Sequence, residues 1–290
     1  MSFPLTKDML RAMLNNNSES DVWYDALKEI MPKYEINTAN RIAGFIAQCA
    51  HESADFKQLE ENLNYSENAL GAVFGRYFDA DKGGRDAAKY ARNPEMIANY
   101  VYQDEFRTKR GAMGNVNEGD GWRFRGRGLK QLTGRNNYTA FGKTVNMTAE
   151  AAADYVSTPK GAVESACWFW DTANLNKIAD KGDIVAMTKK INGGTIGLED
   201  RTDRWEKALK IIDGKVSVPA KTFTSDVDMS TTLTVGSNSA TVKALQEKLG
   251  VVADGAFGLG TKRAVKDFQA KNGLLADGIA GPNTLKKLLG

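Results

Sequence analysis

One histidine, His51, stands in a chain of 290 residues. Zinc sites that need two histidines, such as His-Glu-x-x-His, cannot be built from it. A histidine-dependent triad would have to use His51. Cysteine is nearly as scarce: Cys49 and Cys167 supply neither a disulfide framework nor a multi-thiolate metal site. Long apolar runs are missing, and stretches such as 42–47 fall far short of a membrane span. An excess of one charge is missing too. The 39 Lys and Arg against 36 Asp and Glu leave a net charge of +3, which argues against nucleic acid as the main partner. Met1 to Asp8 lead into no apolar segment of the signal-peptide kind, so a soluble product of the cytoplasm without stable membrane insertion is expected. What is plentiful is carboxylate, the expected reactive group of any enzyme built from this chain. With 42% hydrophobic residues, the chain holds enough apolar material for one large domain or two ordinary ones.

The composition changes near residue 214. Eight of the 22 residues in 214–235 are Ser or Thr and show no helical period, which predicts a linker. Residues 236–290 then repeat themselves. Ala253-Asp254-Gly255-x-x-Gly258-x-x-Thr261 returns as Ala276-Asp277-Gly278-x-x-Gly281-x-x-Thr284, with an offset of 23 residues. Asp-Gly makes a turn, and Thr261 and Thr284 are expected to cap the helices that follow. With a first helix over 239–249, this is a small three-helix domain near the lower size limit for independent folding. It carries eight Lys or Arg and four Asp or Glu, a net charge of +4.

The first 213 residues read as mostly helical, with helices expected over 6–15, 20–31, 38–56, 66–74, 84–91, 94–105, 129–142, 148–155, 159–173, 181–191 and 199–212. Six glycines in 111–128 predict a loop or a pair of short strands. In 38–56, Ile42, Phe45, Ile46, Cys49, Ser53 and Phe56 share one face. Glu52 lies at its edge, near the helix C-terminus. Burial and the negative helix end are both expected to raise its pKa, which suits a general acid; a plain surface residue is the alternative. Glu61 lies nine residues on, where a turn could return it to face Glu52 across a cleft. Two such carboxylates, one protonated and one ionised, meet the demands of glycoside hydrolysis. His51 is expected as a hydrogen-bonding residue beside the site. Residues i and i+2 do not face each other on a helix, which argues against a Cys49–His51 nucleophile pair.

The segment Arg123-Phe124-Arg125-Gly126-Arg127-Gly128-Leu129-Lys130-Gln131-Leu132-Thr133-Gly134-Arg135 leaves three readings open: nucleic-acid binding, a carbohydrate groove, or a solvated loop entering a helix. Gln131, Thr133 and Asn137 suit sugar hydroxyls and acetamido groups better than phosphates. Asn192, in Ile191-Asn192-Gly193-Gly194, is either a second polar turn of the groove or simply part of a helix C-cap.

Four ordered motifs now stand together: His51-Glu52-Ser53 with Glu60-Glu61-Asn62-Leu63-Asn64-Tyr65; Gly119-Asp120-Gly121; Arg125-Gly126-Arg127-Gly128-Leu129 with Gln131-Leu132-Thr133-Gly134-Arg135; and Ile191-Asn192-Gly193-Gly194. Over about residues 1–213 they resemble glycoside hydrolase family 19, its phage endolysin and bacterial branch most of all. The tail, with Asp254-Gly255-x-Phe257-Gly258-x-x-Thr261 and Val265-x-x-Phe268-Gln269, resembles the peptidoglycan-binding domain of wall hydrolases. The resemblance implies a mainly α protein: a lysozyme-like, two-lobed catalytic domain over 1–213, a linker over 214–235 and a three-helix peptidoglycan-binding domain over 236–290. It implies Glu52 as general acid and Glu61 as base or cation stabiliser. Substrate-binding positions would be His51, Tyr65, Gln131, Thr133, Asn137, Asn192 and Arg201, the last as a partner for a catalytic carboxylate. Lys130 departs from the pattern, which has an apolar residue there.

The expected function is hydrolysis of the β-1,4 bond between N-acetylmuramic acid and N-acetylglucosamine, with no cofactor and no metal. The expected partner is bacterial peptidoglycan, and a monomer is expected. An endolysin of this kind would wait in the host cytoplasm and reach the wall through a holin-type pore. Two alternatives stand beside it: a chitinase using the same residues, and a non-catalytic wall-binding or virion protein, which would give no clearing in a zymogram.

Overall fold

The computed structural model describes residues 3–79, 83–108, 111–214, 227–251, 253, 255 and 257–290. The fold is mainly α-helical. The chain divides into two compact units, one of Glu29–Thr202 and one joining Met1–Lys28 to Asp203–Gly290. Most of the expected linker, residues 215–226, lies outside the described residues.

In the unit 29–202, the helix Ala39–Glu52 forms the core. Thr38 caps it, its hydroxyl accepting the Arg41 N–H. Residues 42–50 are all buried, so the expected one-sided helix is enclosed on every side. Small residues make that possible. A Cβ on Gly44 would stand 3.0 Å from Met187 Sδ and 3.3 Å from Trp170. The helix also stops at Glu52, four residues before the expected end. Ser53 explains this. Its hydroxyl donates to Cys49 O at 2.7 Å and accepts the Phe56 N–H at 3.1 Å. Ala54, Asp55 and Phe56 then all take left-handed backbone angles, at φ 49°, 59° and 65°. Each costs roughly 1–2 kcal/mol in an L-residue, and Phe56 is fully buried at the end of the turn. The chain therefore reverses directly after Glu52.

Two hydrophobic clusters flank the glycine-rich region of this unit. One gathers Leu63, Leu70, Phe78, Ile97 and Val101, the other Phe124, Tyr138, Phe141, Ala152 and Val156. The glycine-rich segment contains the short helix Asp120–Arg123, which the sequence reading missed, as it missed Gly75–Phe78 and Leu175–Ala179. Two isolated antiparallel bridges follow, Glu60 with Arg127 and Arg127 with Leu132. The helix expected over 129–142 begins only at Arg135. Left-handed angles at Gly128 (φ 77°), Gln131 (φ 53°) and Gly134 (φ 90°) keep 128–134 out of a helix. The expected helix 84–91 reduces to the 3-10 turn Ala87–Lys89, and 94–105 splits into Pro94–Val101 and the turn Asp104–Phe106.

The tail packs Ala240–Leu249, Leu259–Lys271 and Pro282–Leu289 around Leu233, Val242, Leu245, Phe257, Val265 and Leu285. Its 23-residue repeat is a repeat of hydrogen bonds. Gln246 Oε1 accepts the Gly255 N–H at 2.7 Å, and its Nε2 donates to Thr261 Oγ1 at 3.0 Å. One repeat later, Gln269 does the same with Gly278 at 2.9 Å and Thr284 at 3.1 Å. Thr261 and Thr284 are therefore not the expected caps. The helices begin two residues earlier, after Gly258 and Gly281, and both threonines are buried in the first turn. A buried glutamine amide needs partners on both its ends, and the threonine hydroxyl is the donor's partner. Asp254 of the first copy lies outside the described residues.

Gln269→Ala leaves the Gly278 N–H and the Thr284 hydroxyl without partners in the interior, and is expected to destabilise the tail by about 3 kcal/mol. The exposed Lys266→Ala is expected to change it by less than about 0.5 kcal/mol. Urea denaturation of both variants measures the difference.

Candidate active site

Glu52 is the last residue of the core helix, with its side chain 20% exposed. Arg201 Nη2 donates to its Oε1 at 2.7 Å, and Lys130 Nζ stands 3.4 Å from the same oxygen. Arg201 is only 2% exposed. Its other arm donates to Gln48 Oε1. Gln48 Nε2 in turn donates to Thr188 Oγ1 at 3.1 Å, and Thr188 donates to Ile184 O at 2.8 Å. The expectation of a raised Glu52 pKa is overturned. Burial does push it up, but the Lys130 and Arg201 charges outweigh burial and hold it below the ordinary 4.5. The sequence displayed only the burial and the helix end. The two cations arrive from 78 and 149 residues along the chain.

His51 and Glu52 grip consecutive residues. His51 Nδ1 lies 2.6 Å from Asp200 Oδ2, beside the Glu52–Arg201 pair. The His51 ring fills the space against Gly197, where a Cβ would come within 2.4 Å of it. Cys49 and Cys167 are buried free thiols, and burial pushes Cys49 up to about 12, which suits inert packing residues.

Glu61 is held by two donors, one from beside each hydrophobic cluster. Tyr102, packed against the first cluster, donates its hydroxyl to Glu61 Oε2 at 2.6 Å. Gly126, two residues after Phe124 of the second, donates its N–H to Glu61 Oε1 at 2.6 Å. Gly126 also marks a point of convergence. A Cβ there would lie 3.0 Å from Gln131 Oε1, 3.2 Å from Thr133 Oγ1 and 3.3 Å from Glu61 Oε1. Three expected site residues thus surround one glycine. Lys130, adjacent to Gln131, reaches Glu52, so the 126–133 loop touches both carboxylates. Gln131 holds its left-handed angle with Nε2 donating to Gly128 O at 3.1 Å, and Thr133 donates to Gln131 O at 2.9 Å.

Glu60, the adjacent residue, has different partners. It pairs with Arg125 at 2.9 Å and Arg127 at 3.1 Å. Both guanidiniums are largely buried and also donate to backbone carbonyls, Arg125 to Trp122 O and Arg127 to Arg123 O. The alternating arginines therefore brace the loop and are not free donors for a phosphate or a sugar. Asp120 and Arg135, from two of the sequence motifs, form a bidentate pair at 2.6 and 2.9 Å with a similar bracing role.

The remaining expected residues lie as follows. Asn137 is exposed, and its Nδ2 donates to Thr133 O at 2.8 Å. Asn192 ends the helix Ile184–Asn192 and donates to Ile196 O at 3.1 Å, closing its own turn. Tyr65 packs edge-on against Phe74, with ring centroids 5.3 Å apart. Sequence reasoning missed Tyr102 and Gln48 and gave Lys130 no contact. Gln48 left a signal: it is one turn before Glu52 on the same helix, a polar residue in an apolar run. Tyr102 left none.

A carboxylate held lower in the folded than in the unfolded chain stabilises the fold above its unfolded pKa. That stability disappears as pH falls through the folded value. Glu52 and Asp120 are both lowered in this way, Asp120 because Arg135 outweighs its burial. Stability is expected to decline on acidification below about pH 4.5, and Glu52→Gln is expected to flatten that decline. Urea midpoints measured across the acid range check it.

A family model for a peptidoglycan binding domain matches residues 238–288. A glycosyl hydrolase family 19 domain-containing protein of Haemophilus influenzae is 36% identical over 190 residues, covering 66% of this chain and 88% of that protein. A crystal structure of a chitinase C mutant superposes with a TM-score of 0.50 at 15% identity, covering 76% of this chain and 97% of that one. Chitinase C from Streptomyces griseus HUT6037 gives a TM-score of 0.49 at 16% identity, covering 73% and 78%. The first of these structures shares the fold. The chain belongs to glycoside hydrolase family 19 and ends in a peptidoglycan-binding domain.

Proposed function

We propose that this protein is a peptidoglycan hydrolase that cuts the β-1,4 bond between N-acetylmuramic acid and N-acetylglucosamine. The observation that carries this reading is the 126–133 loop touching both Glu52 and Glu61, in a chain whose tail matches a peptidoglycan-binding domain. Glu52 acts as general acid and protonates the leaving oxygen. Its Oε2 receives no hydrogen bond among the described residues and is the oxygen available to carry that proton. Glu61, oriented by Tyr102 and Gly126, activates the water or stabilises the oxocarbenium-like state. Gly126, without a Cβ, lets Gln131 and Thr133 gather close beside it. Gln131, Thr133, Asn137 and Asn192 supply amides and a hydroxyl for the sugars, with Tyr65 and His51 as further substrate-binding residues. The Glu52–Arg201 pair keeps the acid in place. An inverting course places the two carboxyls about 6.5–9.5 Å apart in the productive complex.

Residues 1–213 would form the catalytic domain. The basic tail would hold it on the anionic wall, and the biological role would be wall degradation in host lysis by a monomeric phage endolysin released through a holin-type pore. Glu52→Gln is expected to fold normally, by circular dichroism, and to lose wall-lytic activity at least about 100-fold. Near-full activity would sink the assignment. Mass analysis of reduced digestion products is expected to find the new reducing end on N-acetylmuramic acid; N-acetylglucosamine there, with rapid cleavage of chitin oligomers, would favour a chitinase. Deleting 236–290 is expected to weaken binding to whole walls more than it slows cleavage of soluble glycan fragments, and equal losses would contradict a targeting role.

A further inference from the structure

Glu52 Oε1 carries two cations of unequal standing. Arg201 donates at 2.7 Å, is 2% exposed, and has its second arm fixed on Gln48. Moving it would strand a buried guanidinium and break the Gln48–Thr188 chain. Lys130 stands 3.4 Å away, beyond the roughly 2.7–2.9 Å of a strong N⁺–H···O⁻ bond. Its side chain is 14% exposed, and it rides on a loop rather than a helix. Its ammonium already lies 5.4 Å from the Phe169 ring centroid, so part of its charge is satisfied elsewhere. The other groups near Glu52 are Cys49, one turn back and a neutral thiol, and His51, whose Nδ1 faces Asp200.

A general acid must hold a proton when the bond breaks. Under two cations Glu52 is kept as the carboxylate. Withdrawing one cation would raise the proton affinity of Glu52, and the geometry selects the lysine as the one free to move. We propose that Lys130 is a positioning residue of the reaction: it grips Glu52 Oε1 in the free enzyme and transfers its ammonium to an oxygen of the bound glycan. A hydroxyl or acetamido carbonyl of the sugar beside Gln131 supplies that acceptor. Binding substrate thereby arms the acid, and the free enzyme keeps it disarmed. The proposal rests on Glu52 being the acid.

The test uses the full-length chain with Lys130→Met, Lys130→Gln and Lys130→Arg. Rates on a soluble peptidoglycan glycan oligomer are measured against pH. The profile of kcat/KM reports the free enzyme, and that of kcat the complex. In Lys130→Met and Lys130→Gln the basic limb of kcat/KM is expected to move up by about 1 pH unit or more, since removing an adjacent positive charge lets the acid keep its proton longer. The kcat limb is expected to stay in place, because the lysine has already left Glu52 in the complex. Lys130→Arg is expected to restore the wild-type kcat/KM limb. A kcat limb that moves as far as the kcat/KM limb means the lysine never leaves, and overturns the proposal. Two unmoved limbs mean that Lys130 only packs against the site, and overturn it as well. Glu52→Gln is run alongside: activity there overturns the acid assignment and the proposal together. An inactive Glu52→Gln beside an unmoved Lys130→Met overturns the proposal alone.

Discussion

Arg201 reaches the core helix across 149 to 153 residues of chain and binds it at two successive turns, on Gln48 and on Glu52. Desolvating that guanidinium is costly, and only charge-assisted bonds of good geometry offset the cost. The neighbouring arrangement follows from this demand. Thr188 orients Gln48, and His51 meets Asp200 one residue before Arg201, so the start of the Leu198–Ile212 helix is registered against the end of Ala39–Glu52. Ser53 stops the core helix at the position where Glu52 meets the arginine. A carboxylate one turn further on would miss it.

The second carboxylate is held by a different kind of chemistry. Glu61 takes two neutral donors, a tyrosine hydroxyl and a backbone N–H, while the adjacent Glu60 absorbs the two arginines of the same motif. The isolated bridge of Glu60 with Arg127 and the Glu61 bond to the Gly126 N–H accompany this sorting. One glutamate has a structural task, and its neighbour lies beside Gly126, Gln131 and Thr133. Motif residues of the family therefore divide by physical role. Arg125, Arg127, Asp120 and Arg135 build the scaffold, and Glu61, Gln131 and Thr133 gather about Gly126.

Much of this was legible in the residue order. The core helix, the three-helix tail, the 23-residue repeat and the position of Glu52 followed from periodicity and turn chemistry. Errors clustered where one long-range partner outweighed a local preference. Residues 129–134 have helical composition but hold left-handed angles at Gln131 and Gly134. Thr261 and Thr284 have the chemistry of caps, yet buried glutamines claim them. The Arg-Gly-Arg-Gly segment left three readings open because nothing local announces that Glu60 lies opposite.

The sequence by itself determined the helical class, the small tail domain and the family motifs, because each depends on spacings of a few residues. Only the tertiary structure decided the direction in which the Glu52 pKa moves. Periodicity predicts its burial, which raises a carboxyl pKa. The fold then brings up Lys130 and Arg201, whose charges act through space at 3.4 and 2.7 Å whatever their distance along the chain. Coulomb attraction at that range outweighs the burial and reverses the sign.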